Sequence, residues 1–124
     1  MSTRLTRREL DLMSILWERG SGTVAEILEE LDDDISYSTV MTLMRTMEAK
    51  GLARHEKEGK AYRFFPLIEA REAGESALGR ILDKIFHGSR ELLVHRLVDR
   101  EDVSPEEIRR IQAHLEKRLR EMER

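Results

Sequence analysis

The chain has 124 residues, of which 38% are charged and 40% hydrophobic, with a formal net charge of -3. That length suits one domain, or two small ones sharing a dimer interface, and the composition is that of a helix-rich globular protein rather than a disordered one. The absence of cysteine excludes disulfides, thiolate metal sites and cysteine nucleophiles. No apolar run approaches the ~20 residues of a membrane span, and the N-terminal MSTRLTRREL lacks the apolar core of a signal peptide. A cytoplasmic protein with no direct membrane binding is expected.

The first helix starts at Arg7: Thr6-Arg7-Arg8-Glu9 has the capping-box spacing, and Leu5 is placed to staple against Leu10. Leu10, Met13, Leu16 and Trp17 continue its apolar face until Gly20. Arg7 and Arg8, at the helix start, suit phosphates better than they suit the macrodipole. Thr23-Val24-Ala25-Glu26 forms a second capping box and opens a short helix with Val24, Ile27, Leu28 and Leu31 inward, broken by Asp32-Asp33-Asp34. A third helix follows, with Ser36 as N-cap, Ile35 stapled to Val40, and Gly51 as the stop. Val40, Leu43, Met44 and Met47 make one buried row, leaving Ser38, Met41, Thr42 and Arg45 together on the other side. Small hydroxyls, a methionine and an arginine are groups that enter a groove and touch base edges, which makes this a candidate DNA recognition helix.

Short helix, tight polar connection and second helix are the parts of a helix-turn-helix. Residues 52–57 and 61–65 flank Glu58-Gly59-Lys60 and read as a β-hairpin closed by Pro66. A basic hairpin directly after a recognition helix is a wing, whose Arg54, Lys57, Lys60 and Arg63 would lie along the DNA backbone or minor groove. From Ile35 to Pro66 six Lys and Arg face three Glu, a local net charge of +3 on an acidic protein.

After Leu67 small residues dominate. Ala70, Ala73, Ala77, Leu78, Ile81, Leu82 and Ile85 mark a long amphipathic helix ending near Gly88. Ser89 caps a shorter one carrying Leu92, Leu93, Leu97 and Val98. Ser104-Pro105-Glu106-Glu107 opens a third with N-cap, N1 proline and capping-box glutamate, Val103 stapling to Ile108. Ile111, Leu115, Leu119 and Met122 extend a narrow coiled-coil-like stripe. Three such helices hardly build a core from one chain, so a second copy is expected to complete it. The expected interface is Leu78, Ile81, Leu82, Ile85, Leu93, Leu97, Ile108, Ile111, Leu115 and Leu119. The expected organisation is mainly α: a winged helix-turn-helix DNA-binding domain over 1–67 with a small hairpin wing, then a helical dimerisation domain over 68–124.

These residues resemble the penicillinase-repressor family of bacterial winged-helix regulators, of BlaI, MecI and CopY type. The likeness covers nearly the whole chain. It is carried by L-x-x-x-E-L-x-x-M-x-x-L-W at Leu5 to Trp17, S-T-V-x-T at Ser38 to Thr42 and G-x-A-Y-R at Gly59 to Arg63. The resemblance implies a homodimeric repressor that binds double-stranded operator DNA at an inverted repeat and blocks the promoter of β-lactamase or other resistance or stress genes. It implies that the helix from Ser38 to Thr46 enters the major groove, with Thr39, Thr42 and Arg45 at bases or adjacent phosphates and Met41 against a thymine methyl. Lys57, Lys60 and Arg63 match wing positions. Several family members are inactivated through a membrane sensor protease, but the Asn-Phe bond cleaved in the resistance repressors has no counterpart in Leu93-Val94-His95-Arg96-Leu97. The cysteine cluster of the copper-responsive branch is absent too.

His87, Glu91 and His95 have metal-ligand spacing, but Gly88 and Ser89 break the helix between them, so no metal and no cofactor is expected. No phosphate-binding glycine loop or activated nucleophile stands out, and the chain is not expected to be an enzyme. The competing reading is a winged-helix module for protein-protein assembly without specific DNA binding, in which Met41 anchors a partner.

Overall fold

The computed structural model describes residues 4–124, in the order α1 (Arg7–Arg19), β1 (Gly22–Thr23), α2 (Val24–Glu30), α3 (Tyr37–Ala49), β2 (Ala53–Glu58), β3 (Ala61–Pro66), α4 (Ala70–Lys84), α5 (Arg90–Val98) and α6 (Pro105–Met122). Two compact units divide the chain between Gly79 and Arg80, inside α4.

The first unit is a winged helix, and short-range chemistry sets its element ends. Thr6 and Thr23 complete capping boxes with Glu9 and Glu26, and the Ser36 side chain accepts from the Thr39 amide. Each satisfies a backbone N–H that the first helical turn leaves open. At the end of α3, Gly51 takes φ +80°. The Leu52 amide then donates to Met47 O and the Gly51 amide to Glu48 O, both at 3.0 Å. This is a Schellman motif, with its hydrophobic contact supplied by the buried pair Met47 and Leu52.

Against the expected strands 52–57 and 61–65, β2 is shifted one residue toward the turn and β3 ends one residue later, at Pro66. Glu58 pairs with Ala61, leaving Gly59-Lys60 as a two-residue turn. Gly59 has φ +62° and Lys60 stays at negative φ, the type II′ arrangement that matches strand twist. A two-residue strand not expected from the sequence, β1, adds to β3 through Gly22↔Phe64 and Thr23↔Arg63, giving the sheet order β1-β3-β2. Two residues are too few for a periodic signal. Gly22 sits close to the core there: an added Cβ would lie 3.3 Å from Ile27 and 3.5 Å from Leu16, so a larger residue would require Ile27 to shift by a few tenths of an ångström.

The core gathers Leu12, Met13, Leu16, Val24, Ile27, Val40, Met44, Met47, Leu52 and Phe64, all essentially inaccessible. On α1 the buried row is Glu9, Leu12, Met13 and Leu16, while Leu10 is 48% exposed. The expected Leu5–Leu10 staple is thus corrected: Leu5 packs on the core and Leu10 faces outward. The inward row begins with a carboxylate, so an apolar pattern points one position away from it. Trp17 packs beside the core and donates its indole N–H to Ile68 O at 2.9 Å, and Leu67 N donates to Leu52 O at 2.9 Å. The segment leading into α4 is therefore fastened to the winged helix.

The second unit has no buried residue at all among Arg80–Arg124. Its most enclosed apolar side chains, Leu82, Phe86, Leu93, Val98, Val103 and Ile111, are only half-buried. Ser89 and Ser104 cap α5 and α6 as expected, with Pro105 in the first turn. The Ser104 side chain accepts from the Glu107 amide, which is the first half of the expected capping box. His87 lies in the turn at φ +50°, followed by Gly88 at φ +83°. This reversal separates it from Glu91 and His95, and no group of three metal-ligating side chains is present among the described residues.

Candidate nucleic-acid interface

On the outer face of α3, Ser38, Thr39, Thr42, Arg45 and Thr46 are all exposed. Thr39 Oγ1 lies 2.8 Å from Ser36 Oγ, and Thr46 Oγ1 donates to Thr42 O at 3.0 Å. Those two hydroxyls are oriented by the helix itself. The Thr42 hydroxyl and the Arg45 guanidinium make no intramolecular bond among the described residues. The sole carboxylate of α3, Glu48, is occupied by His55 Nδ1 at 2.7 Å. The face therefore offers donors and one free cation without a competing acid.

Met41 belongs only partly to this face: it is half-buried and packs against the core. Its spacing put it outside, but tertiary packing draws the flexible thioether inward, as methionine readily allows. Tyr37, absent from the expected set, sits at N1 of α3 and is 50% exposed. The signal for it was present in the Ser36 cap, because the N-terminal residues of a recognition helix are the ones that reach base edges.

The cations divide into two groups. Arg7, Arg45, Lys57 and Lys60 form no ion pair among the described residues. Lys57 and Lys60 lie beside the exposed tip of the wing. The remaining expected contacts are already engaged. Arg54 lies 4.3 Å above the Phe65 ring and pairs with Glu56 at 3.3 Å. Arg63, expected along the DNA backbone, directs every guanidinium nitrogen into the protein: Nε and Nη2 donate to Glu58, Nη1 to Ser21 and Glu26, and Nη2 also to Glu26. Arg8 likewise donates to Asp33 at 2.6 Å.

Electrostatics follow these contacts. Hydrogen bonding from Arg63, aided by the Thr23 amide, holds the Glu26 carboxyl at about 2, against burial. The same guanidinium lowers Glu58. For Glu9, burial pushes upward, but hydrogen bonds from Lys50 and Thr6 outweigh it and the net shift is down. Glu9 is 3% exposed and receives Lys50 Nζ at 2.7 Å, tying the start of α1 to the last turn of α3. Sequence spacing flagged Glu9 only as a capping residue, because its second partner lies 41 positions away.

The expected dimer residues lie as follows: Leu78, Ile81, Ile85, Leu97, Ile108, Leu115 and Leu119 are exposed, and Leu82, Leu93 and Ile111 are half-buried. No helix is long and apolar enough to cross a membrane among the described residues.

A family model described as "Penicillinase repressor" matches residues 5–117. The chain belongs to the penicillinase repressor family. Among relatives, it is 26% identical to the methicillin resistance regulatory protein MecI of Staphylococcus aureus (strain N315), over 92% of this chain and 94% of that one. It is 25% identical to the penicillinase repressor of Bacillus licheniformis, over 91% and 90%. The solved DNA-binding domain of the repressor BlaI superposes with a TM-score of 0.50 at 27% identity, covering 55% of this chain and 85% of that one. A MarR family protein from Bacillus stearothermophilus gives 0.51 at 26% identity over 97% and 76%. Repressors, not enzymes, make up this family and its named relatives.

Proposed function

We propose that this chain is a cytoplasmic, homodimeric transcriptional repressor that occupies a two-fold-symmetric operator and blocks the promoter. The observation that carries the reading is the face of α3, where Ser38, Thr42, Thr46 and Arg45 are exposed, the one carboxylate of α3 is held by His55, and Arg45, like Lys57 and Lys60 at the wing tip, forms no ion pair among the described residues. In the proposed division of labour α3 reads bases and the wing tip and Arg7 hold phosphates, which position without specifying sequence. Tyr37 joins the base-proximal set. Two copies present two such helices, so half-sites should lie one helical turn or a multiple apart.

The dimer rests on the second unit. With nothing buried and Leu115, Leu119 and Met122 each more than half-exposed, α6 presents a seam with coiled-coil spacing that a second α6 would cover. The relatives are named for methicillin resistance and penicillinase, and resistance or stress genes are the targets proposed here. A sensor protease acting on this chain would have to cut somewhere other than an Asn-Phe bond, since the sequence contains no asparagine. Band-shift titration of the full chain against its own upstream region, at several salt concentrations, tests the reading. Specific, salt-sensitive binding to an inverted repeat is expected, and its absence would leave the protein-assembly reading in its place.

A further inference from the structure

We infer that Arg63 is a positioning residue which locks the wing to the first helix of the helix-turn-helix through Glu26, and that it does not contact phosphate. The inference rests on the DNA-binding reading above only for its functional consequence. Arg63 sits in β3 opposite Thr23, the residue that is both the end of β1 and the N-cap of α2. Glu26, at N3 of α2, accepts from the Thr23 amide at 3.2 Å, from Arg63 Nη1 at 2.9 Å and from Arg63 Nη2 at 3.0 Å. Arg19 adds a contact to the same carboxylate at 3.3 Å and one to Glu30 at 3.0 Å. One carboxylate thus joins α1, the start of α2 and the wing.

The other end of the guanidinium reaches Glu58, one residue before the wing turn, across the strand pair. Two consequences follow. A guanidinium has five N–H donors, and here they make five hydrogen bonds within the protein, so none is left for a phosphate. The Glu58 charge is also neutralised between Lys57 and Lys60, leaving those lysines as the net charge of the tip. The fork geometry is specific to arginine, since an ammonium cannot bridge two carboxylates in the same plane.

The test uses the full chain, a duplex selected by the wild-type protein from a random-sequence library, and a mixed-sequence duplex. Glu26→Gln, Arg63→Gln and Arg63→Lys should each weaken the selected complex by ~10-fold. The slope of log affinity against log salt should stay within half a unit of wild type, and the Glu26→Gln/Arg63→Gln double variant should be no worse than either single one. If Arg63 instead holds a phosphate, Arg63→Lys should bind like wild type, Arg63→Gln should reduce the salt slope by ~1, and Glu26→Gln, by removing a negative charge, should tighten binding. That pattern would overturn the inference. Amide exchange gives a readout independent of DNA: each variant should speed exchange across residues 53–66 while α1 and α3 core amides stay protected. Unchanged wing exchange overturns the inference as well. Should the wild type bind no duplex, the repressor reading falls and amide exchange alone decides the role of Arg63.

Discussion

Two regions of this molecule put their apolar residues to opposite ends. Up to Gly79, leucines, methionines and Phe64 from three helices and a sheet enclose one another, and ten side chains are almost fully removed from water. From Arg80 on, nine large apolar side chains remain exposed and none is buried. The difference is one of dimension. Helices packed on a sheet close around a centre, whereas helices with narrow apolar stripes offer only a line. A line is completed by another line, which is why the first region reads as a self-sufficient reader and the second as half of an interface.

Substitutions can break this contrast, the largest effect being expected at Phe64. Phe64→Ala should cost about 3–5 kcal/mol, seen in denaturant midpoints that do not depend on protein concentration. Loss confined to oligomeric state would show that the first region is not self-sufficient. Next, the Leu115→Asp and Leu119→Asp pair should yield monomers by sedimentation, with operator affinity down on the order of 100-fold as the linked second half-site is lost. An unchanged dimer would move the interface elsewhere.

Within the reading surface, Arg45→Ala should reduce discrimination between operator and random DNA by ~1–3 kcal/mol, while Lys60→Ala weakens both equally and lowers the salt slope by ~1. Equal discrimination loss in both would erase the division between helix and wing. The smallest effect concerns acid. Glu26, Glu9, Glu58 and Asp33 all have lowered values in the fold, so the native state binds fewer protons than the unfolded chain in mild acid. Their contribution is fully present above about pH 4.5, the ordinary carboxylate value. It is lost as pH falls toward the Glu26 value of about 2. Thermal midpoints should therefore decline through this window, less steeply in Glu26→Gln. Because all four carboxylates lie in the first region, a tail that loses structure over the same window would contradict the assignment.

Much of the architecture was legible before any coordinates. Thr6, Thr23, Ser36, Ser89 and Ser104 each mark a helix start by bonding an amide three residues on, and Gly51 and Gly59 each mark a reversal through positive φ. Those are interactions of neighbours, and spacing alone reveals them. The tertiary structure decided what distance in sequence conceals. It turned Leu10 outward because Glu9 had Lys50 to meet, drew Met41 toward the core, added β1 to the sheet and fixed Arg63 on a carboxylate 37 positions earlier. A cation in a wing looks the same in sequence whether it faces phosphate or glutamate. Only the fold states which acid lies within hydrogen-bonding reach, because that proximity is created by packing between elements and not by any residue's local preference.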